Sequence, residues 1–100
     1  MNGQSQKIQI KARDDDLKGN YSNLMQVFHN TKEEFVLDFF LVSPPTGILT
    51  SRVIMSPGHL KRMVKAIQEN VRKYEEKFGE IEEAKTPEMP EGGIGFKAEK

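Results

Sequence analysis

The chain contains no cysteine and no tryptophan. Without cysteine there is no disulfide and no thiolate metal site to staple a small fold. No apolar run of about 18 residues occurs, so no helix of this sequence can span a bilayer. The N-terminus lacks the apolar core of a signal peptide, and the expected compartment is the cytoplasm. Net charge is zero, 15 basic against 15 acidic residues, which gives no global pull toward nucleic acid or membrane. Catalytic signatures are missing too. Ser22, Ser43, Ser51 and Ser56 have no G-x-S-x-G elbow around them, and no Walker or dinucleotide-binding glycine pattern is present. The histidines, His29 and His59, have no His-x-x-x-His partner, and Asp14-Asp15-Asp16 lacks EF-hand spacing and its closing glutamate. The expectation is a protein that is not an enzyme and holds no metal or cofactor.

What is there is one small α+β unit. One hundred residues make one domain. Residues 1–6 are polar and read as a flexible start, 7–81 as the folding unit, and 82–100 as a flexible Glu-, Pro- and Gly-bearing tail. Ile94 and Phe96 are the tail's sizeable apolar groups besides Met89, and a docking motif is the sharper of two ways to read them. A unit this short buries only about 60% of the surface its unfolded chain exposes, and such domains often add burial by oligomerising.

Four strands are expected. Ile8, Ile10 and Ala12 alternate with Lys7, Gln9, Lys11 and Arg13, the period of a half-buried strand. Asp14-Asp15-Asp16 and Gly19-Asn20 end it. Tyr21 to His29 reads as the second strand, and Asn30-Thr31-Lys32 as a hairpin turn into the third, Glu34 to Val42. There Phe35, Leu37, Phe39 and Leu41 share one face, and Val36, Phe40 and Val42 the other. Ser43-Pro44-Pro45-Thr46-Gly47 is a loop, and Ile48 to Met55 the fourth strand.

One long helix follows. Ser56 is a good N-cap, Pro57 sits where its missing N–H costs nothing, and Gly79 ends the helix. Between them Leu60, Val64, Ile67, Val71, Tyr74 and Phe78 recur at alternating steps of four and three, widened by Met63. The expected fold is therefore an antiparallel sheet of about four strands with the helix from Pro57 to Phe78 packed on one face. A helix pairing with its copy in a second chain is the alternative use of the seam.

Two charged constellations stand out. Asp38 interrupts an apolar face and is expected to pair with Arg52 on the next strand. Glu34 shares its face but lies roughly 13 Å away, too far for a carboxylate dyad. Lys61, Arg62, Lys65, Arg72 and Lys73 form a basic stretch that would suit phosphates, although Glu69 and Glu76 stand at ion-pair spacing from several of them.

The run from Tyr21 to Ile81 resembles a family of small prokaryotic proteins known as domain of unknown function 3467. The likeness is carried by Tyr21-Ser22-Asn23, by His29 with Glu34-Phe35-x-Leu37-Asp38-Phe39, and by Arg52-x-Ile54-x-Ser56-Pro57-x-His59-x-Lys61-Arg62. Asn70 and Tyr74-Glu75-x-x-Phe78-Gly79 complete it. The resemblance implies a fold and no activity. In architecture alone the chain is similar to SecB-like export chaperones.

The favoured function is a non-enzymatic oligomeric interaction module, an adaptor or chaperone-like protein that binds polypeptide. The alternative is a nucleic-acid-binding module using Lys61, Arg62, Lys65, Arg72 and Lys73, with Tyr21 as a stacking group. Because one helix covers one sheet face, the second face, with Val36, Phe40, Val42 and Ile54, is the candidate oligomer interface. Burying ~400 Å² of it is worth roughly 10 kcal/mol before association costs. A two-fold dimer is the expected state.

Overall fold

Residues 6–99 are described by a computed structural model. They form a short helix α1 (Asp14–Lys18), strands β1 (Leu24–Thr31), β2 (Glu34–Ser43) and β3 (Thr46–Met55), and a long helix α2 (Pro57–Phe78). The strands make one antiparallel meander in the order β1-β2-β3. Among the described residues the fold is α+β with three strands, one fewer than the sequence pattern predicts.

The missing strand is Lys7 to Arg13. No strand forms there, and Ile8 and Ile10 are 86% and 79% exposed. Alternation makes a segment able to lie on a sheet, but three small apolar groups bury too little to hold it there. The run Asp14-Asp15-Asp16, a strand breaker by its composition, is itself helical. Asp14, Asp15 and Asp16 occupy the first turn of α1, where carboxylates suit the positive end of the dipole. Asp16 accepts from the Arg13 backbone N–H at 3.0 Å and from its guanidinium. Those bonds hold the Asp16 carboxyl below its ordinary range.

Strand β2 is apolar on both faces because it is the central strand. Val36, Asp38 and Phe40 are buried on one side and Leu37 on the other. Register places Leu24, Gln26 and Phe28 of β1 opposite Phe40, Asp38 and Val36. Ile54 and Arg52 of β3 face Val36 and Asp38. A bulge then intervenes: Phe39 pairs with Ser51 but Phe40 with Leu49, leaving Thr50 as the extra residue. Its hydroxyl donates to the Phe39 carbonyl at 2.9 Å. The β2–β3 turn is made by Pro44 and Pro45, joined by a cis peptide.

Strand β1 begins three residues later than Tyr21, and just before it side chains join one backbone bond, Asn23 N–H to the Phe40 carbonyl at 3.0 Å, in the pairing. Asn23 donates to the Val42 carbonyl and accepts from the Val42 N–H, both at 2.9 Å, so its amide mimics one more rung of ladder. Ser22 Oγ lies 2.9 Å from the Phe40 carbonyl, to which it donates.

The helix follows its sequence signals. Ser56 Oγ accepts from the His59 N–H at 3.2 Å, Pro57 fills the first position, and Gly79 closes the last turn through the Glu75 carbonyl at 2.9 Å. Gly79 has φ +101°, a conformation that favours glycine.

The placement of α2 departs from expectation. Only Ser56 separates β3 from α2, so the end of β3 fixes where the helix starts, and α2 meets β2 over a short span. Of the seam, Leu60 and the flanking Met63 are half-buried, while Val64 and Ile67 are 44% and 53% exposed. The helix does not lie along the sheet. The radius of gyration is 17.8 Å, against about 13 Å for a compact chain of this length.

Candidate interaction surfaces

The first surface is the apolar seam of α2. The four–three spacing gathers Ile67, Val71 and Tyr74 on one side of the helix, where with Met63, Asn70 and Ile81 they line a shallow groove. Tyr74 and Phe78 pack at 4.9 Å between ring centroids with their planes inclined at 48°, and the Lys77 ammonium lies 5.2 Å over the Phe78 ring. Phe78 stays 65% exposed nonetheless. Ile81 is held beside the helix because its N–H donates to the Glu75 carboxylate at 2.9 Å. A contiguous apolar strip of this kind matches the largest patch a soluble monomer shows to water, and such patches often mark interaction sites.

The second surface is the sheet face built on Asp38. The paired register puts Arg52 opposite Asp38, and the guanidinium donates to both carboxylate oxygens, at 2.6 and 2.7 Å. The Asp38 side chain is fully buried and that of Arg52 is 45% exposed. Hydrogen bonding from Arg52 holds the Asp38 carboxyl below its ordinary range against the upward push of burial, with help from Gln26 opposite on β1. Asp38 in turn raises the pKa of Arg52. The tail returns to this face. Phe96 packs on Phe40 at 6.0 Å between centroids, and the Arg52 guanidinium sits 5.5 Å over the Phe96 ring. Arg52 is thus shared by a carboxylate and an aromatic ring, one arrangement that ties sheet and tail together.

The sheet candidates fall into two groups. Val36 and Phe40 are buried within the single chain, Val42 is half-buried and Ile54 exposed. Lys61, Arg62, Lys65, Arg72 and Lys73 are all exposed. Arg72 is engaged by Glu69 at 3.3 Å and by Glu76, and Arg62 lies 2.8 Å from Nδ1 of His59. Among the described residues, no three His, Asp or Glu side chains converge as metal ligands would. The contact of Phe96 with Arg52 has no periodic signal behind it. The one hint is an aromatic residue alone in a Gly- and Pro-bearing tail, with an arginine as the one charged residue of β3.

The family described as Protein of unknown function (DUF3467) matches residues 1–83. The chain belongs to this family. Many of the residues that carry the DUF3467 likeness have a structural task here. Ser22 and Asn23 close the open end of the ladder, Asp38 and Arg52 form the buried pair, and Ser56, Pro57 and Gly79 bound the helix. No curated protein and no solved structure matches the chain.

Proposed function

We propose that the protein is a non-enzymatic, self-associating interaction module whose partners are polypeptides. The observation that carries this reading is the α2 seam, apolar from Val64 to Phe78 and half exposed in the single chain. A 22-residue helix owes most of its stability in water to burial of such a face, so a free chain leaves its main source of stabilisation unused. The zero net charge and the carboxylates around Arg72 argue against a phosphate-binding role for the basic stretch. Light scattering behind a sizing column tests self-association, with a mass of at least twice the 11.4 kDa chain expected at tens of micromolar. Capture of a peptide or unfolded client tests the partner class. Binding of labelled single-stranded DNA that weakens steeply with salt returns the function to the basic stretch instead.

A further inference from the structure

Resting on that reading, we infer that α2 pairs antiparallel with α2 of a second copy, about a two-fold axis level with Glu69. The seam is built for this arrangement. With the axis there, Leu60 meets Phe78, Val64 meets Tyr74, and Ile67 meets Val71. Each pair sets a smaller side chain against a larger one or two of similar size, and each occurs twice by symmetry. All six seam residues then have partners, in the left-handed geometry that a 3.5-residue repeat imposes.

Charge selects the orientation. The first half of α2, Pro57 to Gln68, carries Lys61, Arg62 and Lys65 and no acid. From Glu69 to Glu83 six glutamates face three bases. Antiparallel pairing lays the basic half of each helix along the acidic half of the other, with Lys61 beside Glu75 of the second copy. Glu80, Glu82 and Glu83 then lie near the second copy's helix N-terminus, the positive end of its dipole. Parallel pairing would stack like charge on like and set Tyr74 and Phe78 against themselves.

The area is sufficient. At their exposures, the seam residues from Val64 to Phe78 offer roughly 450 Å² per protomer, taking an average of about 175 Å² for a fully exposed residue, the lower part of the range for aromatic side chains. The pair buries at most about 900 Å² from these, and the stems of Lys61, Gln68, Asn70 and Lys77 extend it toward the ~1,200 Å² where stable interfaces begin. The groove beside Ile67 and Val71 is then filled by the second copy.

The absence of cysteine makes the test clean. Single substitutions Asn70→Cys, Val64→Cys and Tyr74→Cys are placed at exposed positions, checked for retained helix by circular dichroism, oxidised, and run without reductant. Asn70 lies close to the axis, so Asn70→Cys is expected to give a disulfide-linked dimer. Val64 and Tyr74 are each roughly 15 Å from their own copies along the helix, beyond the ~6 Å Cα separation of a disulfide. Those variants should stay unlinked alone and link when mixed. Self-linkage of Val64→Cys or Tyr74→Cys means parallel helices and overturns the inference. A dimer mass with no linkage at any position overturns it too, while leaving self-association standing. A monomer mass for the unmodified chain overturns both.

Discussion

Replacing Asp38 by asparagine removes a charge from the least exposed side chain of the fold and leaves its shape almost unchanged. In the native chain two short hydrogen bonds join Asp38 to Arg52. A carboxamide keeps one acceptor and turns its other end, an NH₂, toward a guanidinium that has only donors. A hydrogen bond to a charged group contributes about 1.5–3 kcal/mol. One is lost and the other becomes charged on one side only, but water reaches the half-exposed Arg52 and recovers part of the loss. The net cost is about 2 kcal/mol at pH 7, read as a fall of about 8–16 °C in Tm. Acid should close the gap. The folded Asp38 carboxyl titrates below its unfolded value, about 3.9 for aspartate. Its contribution is therefore fully present above that pH and lost as pH falls through the folded pKa. Urea unfolding of both proteins from pH 7 down to pH 2 measures this. A difference under about 0.5 kcal/mol at pH 7, or one that persists unchanged at low pH, refutes the reasoning.

Two further outcomes follow from the tail and the helix ends. Phe96→Ala removes the ring between Phe40 and Arg52, so limited trypsin digestion should cut at Lys85 several-fold faster, at a stability cost of about 1 kcal/mol; an unchanged cleavage rate counts against the contact. Ser56→Ala deletes the cap on the His59 N–H and should lower the urea midpoint by the equivalent of about 1 kcal/mol, whereas a midpoint equal to the parent's would show that the cap is idle.

Where local chemistry decides structure, the sequence was legible. Ser56-Pro57 and Gly79 mark the ends of α2 at the residues observed, and alternation along β2 and the Asp38–Arg52 pairing follow from period and register. The errors lie where burial is decided between elements. Ile8 and Ile10 have the right period and no layer to bury against, so propensity went unredeemed. Asn23 reads as a strand residue and pairs through its backbone N–H and, in addition, through its side-chain amide, an extra rung that periodicity cannot register. The helix seam was visible, but what it packs against was not, because a 3.5-residue stripe specifies an apolar neighbour without saying in which chain it lies. The sheet face around Phe40 was legible as apolar, while its covering by Phe96 depends on a segment without periodicity.

The extra residue at Thr50 gives β3 two frames for its faces, one running from Ser51 to Met55 and another from Thr46 to Leu49. Alternation counted back from Arg52 assigns Ile48 to the Asp38 face, yet Leu49 stands there, opposite Phe40. Changes of length in β3 are therefore not equivalent. A chain lacking Thr50 threads the same ladder with the kink removed, since Ser51 and Leu49 already oppose consecutive residues of β2. A chain lacking Val53, with Ile54 still opposite Val36, turns Arg52 onto the face of Leu37 and leaves Asp38 opposite Ser51. The buried carboxylate then loses its cation without any change in composition at either site, and the tail loses the guanidinium beneath Phe96.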